Sequence, residues 1–336
     1  MSNWNLIGHE HQVSSLMRDI KTDRLRHAYL IAGAAGVGKR TLAIAFIKAV
    51  LCQNVNAPCG ERSECRSCKL IDAGNHPDVI VVAPLISGKV VKTEKIVVDR
   101  IRELIRALNL KPVEASRKVV LITNFETANE ESSNAFLKTL EEPPGNALLI
   151  LTTDVPEMLL ETIKSRCEVI MLKPLPTMMI QNALTSRWAM PSDRAELLAR
   201  LCGGRLGWAV MADDSILERR EQRLDELRDL IHGSRLQRFA YAEKLYRDRD
   251  LMKEALDLWI GWWRDVMLIA SSATTLPINI DQLEMLQRTA AHVGLDASSK
   301  VVDSIQRTNI ALMRNANARL ALEVLLLEMP RVASGG

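Results

Sequence analysis

A chain of 336 residues with 47% hydrophobic and 25% charged side chains has room for two or three domains and the composition of an ordinary globular protein. Its net charge of only +3 weighs against a protein that grips nucleic acid by bulk electrostatics, although one basic face is still allowed. No apolar run approaches the ~20 residues of a membrane span, and the polar start MSNWNLIGHEHQ lacks a signal-peptide core, so a cytoplasmic protein with no membrane role is expected.

In chain order, Val13, Leu16, Met17 and Ile20 fall at i, i+3, i+4 and i+7, which predicts an amphipathic helix over 10–22. HAYLIAG, 27–33, reads as a buried strand running into a Gly-rich turn. TLAIAFIKAVLC, 41–52, is apolar nearly all round and reads as a buried helix. VIVVAP, 79–84, is a second strand, closed by Pro84. Val97, Ile101, Leu104, Ile105 and Leu108 stripe a helix. KVVLI, 118–122, is a third strand, 130–141 is helical up to Pro143-Pro144, and ALLILTT, 147–153, and EVIML, 168–172, complete the strands. Strands alternating with helices predict a parallel α/β sheet covered on both faces. Beyond Pro176 the strand signal stops. Residues 177–213 suit short helices broken at Gly203-Gly204 and Gly207. The rest is helical, with a Trp259, Trp262, Trp263, Val266 stripe expected in a core or subunit interface, and a Leu320, Val324, Leu327 stripe ended by Pro330.

Gly33, Gly38 and Lys39, with Gly36 between, satisfy G-x-x-x-x-G-K after a predicted strand and before a predicted helix. Glycines let the backbone wrap a phosphate, the helix N-terminus adds N–H donors, and Lys39 is expected to reach the terminal phosphates. The next residue should be the Ser or Thr that holds Mg²⁺. It is Arg40, and Thr41 lies about 100° further round the helix. The third strand should close on acids, but it ends in Thr123-Asn124. Three positions that serve metal and water are therefore changed together, and Glu126, two residues past the strand end, is the displaced acid that could replace them.

Cys52, Cys59, Cys65 and Cys68 fall within CQNVNAPCGERSECRSC. Four soft ligands closely spaced among polar residues suit a structural Zn²⁺ site with no open position. Cys52, at a helix end, is the weakest member of the set. Lys92, Lys95, Arg100, Arg102 and Arg106 form a basic stretch, either a solvated helix face or a face toward DNA.

HAYLIAGAAGVGKRTLA, the four-cysteine insert, GNHPDV (74–79), NAFLKTLEEPPGNALLILTT (134–153) and SRC (165–167) together resemble the AAA+ subunits of bacterial clamp loaders. NANARLALEVLLLEMP (315–330) is similar to the end of that family's helical collar. The resemblance covers nearly the whole chain. It implies a RecA-like AAA+ domain over 1–175 with a zinc module at 52–68, a helical lid over 176–214, and an all-α collar for oligomerisation over 215–336. It also implies a hetero-pentamer with tau/gamma and delta subunits that loads a sliding clamp onto primed DNA within DNA polymerase III holoenzyme.

Two kinds of subunit share these marks. The tau/gamma motor hydrolyses ATP, has Asp-Glu where this chain has Thr123-Asn124, and carries a lid arginine. In CGGRLGWAVM, 202–211, the matching lid position is Gly207, and Arg205 is out of register. The chain is similar to the kind lacking these groups, except that its phosphate loop is well preserved. That leaves open binding of ATP or ADP without hydrolysis. The resemblance assigns Arg166 of SRC as an arginine finger donated in trans to a neighbour's ATP, and Thr153 as a polar sensor. The rival expectation is an active tau/gamma-type motor. A zinc-dependent nucleic-acid binder is a third, which the small net charge disfavours.

Overall fold

The computed structural model describes residues 4–54, 59, 64–84 and 95–332, together with the backbone of 86–87 and 92–93. In chain order the elements are α1 (Glu10–Lys21), β1 (Ala28–Ala32), α2 (Lys39–Leu51), α3 (Arg66–Asp72), β2 (Val79–Val82), a short antiparallel pair β3 (Ile86–Ser87) and β4 (Lys92–Thr93), α4 (Val98–Leu108), β5 (Val119–Ile122), α5 (Glu130–Glu141), β6 (Leu148–Thr153), α6 (Glu161–Lys164) and β7 (Glu168–Met171). Helices α7 (Thr177–Trp188), α8 (Ser192–Leu201), α9 (Leu206–Met211), α10 (Asp214–His232), α11 (Arg235–Leu245), α12 (Arg249–Ala270), α13 (Leu283–Met313) and α14 (Ala318–Glu328) follow. Packing divides them into two units, Met1–Ala189 with Cys202–Val210, and Met190–Leu201 with Met211–Gly336.

The first unit is built on a five-stranded parallel sheet of order β2-β5-β6-β1-β7. The three inner strands β5, β6 and β1 are buried throughout because alternate side chains enter two different cores. Tyr29, Ile31, Val119, Leu121, Leu148 and Ile150 pack with Leu16, Leu42 and Phe46 of α1 and α2. Leu30, Val120, Ile122, Leu149 and Leu151 pack with Ile101, Leu104, Phe136 and Leu140 of α4 and α5. Truncating such a residue, Phe136 for example, costs about 3–5 kcal/mol. The register places Ala32 opposite both Thr153 and Met171, and Ile122 opposite Leu151. The carboxyl ends of β1, β5 and β6 therefore lie together, where open parallel sheets bind ligands.

The expected helices and strands of this unit are present. Val97, however, is the exposed residue before α4 rather than part of its apolar stripe. Gly207 does not break a helix but lies within α9. Helix α3 and the β3–β4 pair had no period in the sequence strong enough to announce them.

In the second unit Trp259, Trp262 and Trp263 are buried in one core with Leu224, Leu286 and Ile305, so the aromatic stripe is packing. The stripe of α14 faces the other way: Leu320, Val324 and Leu327 are 58%, 47% and 44% exposed, while Leu322, Leu325 and Leu326 are buried. ARLALEVLLLE is apolar on more than one face, so spacing alone could not choose the buried one. Arg238 is buried and donates to Leu230 O, Leu326 O and Met329 O at 2.9, 2.8 and 2.6 Å, satisfying carbonyls at the ends of α10 and α14. Among the described residues no helix is long and apolar enough to cross a membrane.

Candidate functional site

The phosphate loop leaves β1 at Gly33, whose N–H donates to Thr153 O at 3.2 Å. Gly36 has φ 80° and Gly38 φ 108°, both left-handed, which explains glycine at each. The loop is held from two further sides. His9 Nε2 donates to Val37 O at 3.1 Å, and Gly207 N–H donates to Gly36 O at 2.8 Å. A Cβ on Gly207 would lie 2.9 Å from Gly36 O. The lid position that the resemblance matches to an arginine is thus a close backbone contact that requires the absence of a side chain.

Lys39 opens α2 and is buried. Its Nζ donates to Gly33 O at 2.7 Å and Ala34 O at 2.8 Å and pairs with Asp154 at 2.6 Å. An ammonium has three N–H donors, and all three are engaged. Arg40 and Thr41 are exposed, and their side chains make no hydrogen bond among the described residues.

At the end of β5, Thr123 is buried and Asn124 adopts a left-handed turn (φ 51°), its N–H donating to Thr152 Oγ1 at 3.1 Å. Thr153 Oγ1 accepts from Val155 N–H at 3.2 Å. Neither strand-end residue carries charge, but the fold brings two acids beside them. Asp154 follows β6 directly, a position that only the fold connects to Lys39. Glu126 Oε1 accepts from the Asn124 side chain at 3.3 Å and the Asp154 N–H at 3.2 Å. Its Oε2 is buried with no hydrogen-bond partner among the described residues.

The structure brings Cys52, Cys59, Cys65 and Cys68 into one cluster, with all Sγ atoms within 4.8 Å of one another. Cys52 Sγ lies 3.5 Å from Cys59 and 3.8 Å from Cys65, so the helix-end cysteine is a full member. Four sulfurs about 2.3 Å from a tetrahedral ion would be about 3.8 Å apart, so the set fits such an ion. Backbone N–H groups of Asn54, Cys65 and Cys68 donate to Cys52, Cys59 and Cys65 Sγ, each at 3.4 Å, which favours thiolates. Burial raises the Cys52 and Cys68 thiols. At Cys65 burial also works upward, but N–H donors from Cys68 and Gln53 outweigh it and bring that thiol down to about 6. A bound cation would favour the thiolate at all four.

One polar link joins this module to the loop before β5, and a second set of bonds holds that loop in place. Arg66 of α3 makes a bidentate pair with Glu114, at 3.0 and 3.2 Å. The buried Asp78 of GNHPDV accepts from the N–H groups of Val113, Glu114 and Ala115 at 2.7, 2.7 and 2.8 Å, fixing the loop that carries Glu114.

Arg166 follows α6. Its Nη1 donates to Thr162 O at 2.8 Å, and its Nη2 pairs with Glu141, the last residue of α5, at 2.6 Å. The pair is half-buried rather than buried, with side chains 33% and 49% exposed. The basic stretch is partly neutralised within the chain. Arg100 donates to Ala83 O, Arg102 pairs with Asp99 and Glu131, and the Lys92 side chain lies outside the described residues.

A family model described as DNA polymerase III, delta subunit, matches residues 8–176, which carry the phosphate loop, the cysteine cluster and SRC. The chain belongs to this family. Among its relatives, a DNA polymerase III subunit delta' of Pseudomonas aeruginosa is 37% identical over 209 residues, 61% of each chain. One of Bacillus subtilis is 26% identical over 93% of both chains. A DNA polymerase III subunit tau/gamma of Haemophilus influenzae is 40% identical over 54% of this chain and 25% of its own length. Among solved structures, a DNA polymerase III gamma subunit-related protein of Thermotoga maritima aligns over 94% of this chain and 97% of its own, with 20% identity and TM-score 0.39.

Proposed function

We propose that the chain is a clamp-loader subunit of the delta-prime kind, which does not hydrolyse ATP itself and acts on a neighbour's ATP through Arg166. In this reading it assembles with tau/gamma and delta subunits in a hetero-pentamer that loads a sliding clamp onto primed DNA. Residues 1–175 form the AAA+ domain, 176–214 its lid and 215–336 the collar. The pocket keeps the loop that cradles ATP or ADP but lacks the groups that turn it over.

The observation that carries this reading is the uncharged end of β5: Thr123 is buried and Asn124 is turned back on the strand, so neither offers a carboxylate to Mg²⁺. The engaged donors of Lys39 support it. Steady-state ATPase of the purified chain tests it. The expected result is no turnover above a Lys39→Ala control, and turnover that depends on Lys39 overturns it.

One observation favours the rival, a hydrolysing motor of the tau/gamma kind. The partnerless Oε2 of Glu126 lies close to the β5 and β6 ends and could serve as the displaced acid. Lys39-dependent turnover abolished by Glu126→Gln would establish that rival.

In this reading the four cysteines hold a structural Zn²⁺, whose closed sulfur set leaves no position for catalysis. The expected outcome of elemental analysis is one zinc per chain, lost in the double variant Cys65→Ser, Cys68→Ser. A native chain without zinc removes this assignment.

A further inference from the structure

Helix α5 ends at Glu141 with Glu142 as its cap, two acids at the negative end of its dipole, where a basic residue would be favoured. Pro143-Pro144 then fix the exit of the chain. An acid in this unfavourable place calls for a partner, and Glu141 has one in Arg166, 2.6 Å away. Both ends of the pair stand on rigid supports. Leu140, beside Glu141, and Ile163, three residues before Arg166, are buried in the same core. The chain through Arg166 is tied back by Arg166 N–H to Ile163 O at 3.1 Å and Cys167 N–H to Lys164 O at 3.3 Å.

The guanidinium has five N–H donors. Its Nη1 donates to Thr162 O at 2.8 Å and lies 3.5 Å from Ser165 Oγ, and one Nη2–H meets Glu141. The Nε–H and the second Nη2–H have no partner among the described residues. Three contacts therefore hold the group, and two donors remain for the oxygens of a ligand.

We propose that Glu141 is the positioning residue of Arg166, holding the guanidinium in place before it meets the phosphoryl group of a neighbouring ATP. The inference rests on the trans role proposed above for Arg166. A flexible arginine would have to be ordered as charge develops in the transition state. A clamped one is ordered beforehand, so the benefit falls on turnover rather than on ATP binding. Glu141→Gln keeps the side-chain length and one acceptor oxygen, while it loses the charge and turns the other oxygen into an amide donor.

The experiment uses the reconstituted loader with Arg166→Ala, Glu141→Ala, Glu141→Gln and the Glu141→Ala, Arg166→Ala double variant. It reads kcat and KM for ATP and the thermal midpoint of the isolated chain. Arg166→Ala is expected to lower kcat by about tenfold or more. Glu141→Ala is expected to lower kcat by about three- to tenfold with KM and thermal midpoint unchanged. Glu141→Gln is expected to recover more than half of that loss. The double variant should match Arg166→Ala alone, because Glu141 acts only through the arginine. Wild-type kcat in Glu141→Ala, or losses that multiply in the double variant, overturns the positioning role while leaving the arginine finger standing. Undiminished turnover in Arg166→Ala removes the finger, and the positioning role with it. Should Glu141→Ala lower the midpoint, Glu141→Gln decides: an intact midpoint with less than half of the kcat loss recovered overturns the positioning role.

Discussion

Lys39 and Arg166 each face one carboxylate at 2.6 Å, yet their chemical prospects differ. Lys39 is 7% exposed, and its three donors go to Gly33 O, Ala34 O and Asp154. Arg166 is 33% exposed, and two of its five N–H groups lack partners among the described residues. A motif supplies a cation; the surrounding acceptors decide whether that cation is still available to a ligand. In this chain the residue from the better-known motif is committed to its own fold, and the residue from SRC is held but incompletely satisfied.

The largest expected effect tests the inward half of that contrast. Lys39→Ala leaves two loop carbonyls and Asp154 without their donor in a site that is mostly out of water. The expected loss is about 2–3 kcal/mol in urea denaturation, below the usual figure for a broken buried pair because Asp154 is 27% exposed. A loss under about 0.5 kcal/mol would mean the lysine is a free phosphate ligand that merely rests on the loop.

Asp154→Ala sharpens the same half by a smaller amount. It removes the internal anion and returns one N–H to Lys39. A fluorescent ATP analogue should then bind about tenfold more tightly than to wild type, a difference of about 1.4 kcal/mol. Equal affinity in the two proteins would show that a nucleotide displaces Asp154 without cost, and the idea of a committed lysine would fail.

These contrasts also mark where the sequence stopped being informative. β5 and β6 were legible as apolar runs, and Thr123-Asn124 could be read as an uncharged strand end, because each depends on neighbouring residues alone. The glycines and Lys39 were legible as a loop because strand, turn and helix follow in order. Asp154 was not, since its partner is 115 positions away by number and only the parallel register of β1 and β6 brings Ala32 level with Thr153. Glu141 was visible within LEEPP but had no assigned role until α5 and α6 shared a core with it at the rim. Gly207 read as a helix break because glycine is a poor helix former. Its actual reason is the carbonyl of Gly36 lying against it. The α14 stripe was legible as a spacing, but an apolar sequence with two hydrophobic faces leaves the choice of the buried one to its neighbours.

The smallest expected effect tests the outward half. An exposed or half-exposed ion pair contributes little to stability, because water screens both charges and two long side chains must be ordered to form it. Arg166→Ala should therefore cost less than about 1 kcal/mol in the same denaturation experiment, with Thr162 O and Glu141 taking up water in place of the guanidinium. That small number gives the turnover measurement its meaning. If the variant folds as well as wild type, a fall in the loader's ATP turnover belongs to the chemistry of the neighbouring site. If instead stability drops by about 2 kcal/mol or more, Arg166 is a structural strut like Lys39, and slower turnover would follow from a damaged subunit with no finger involved.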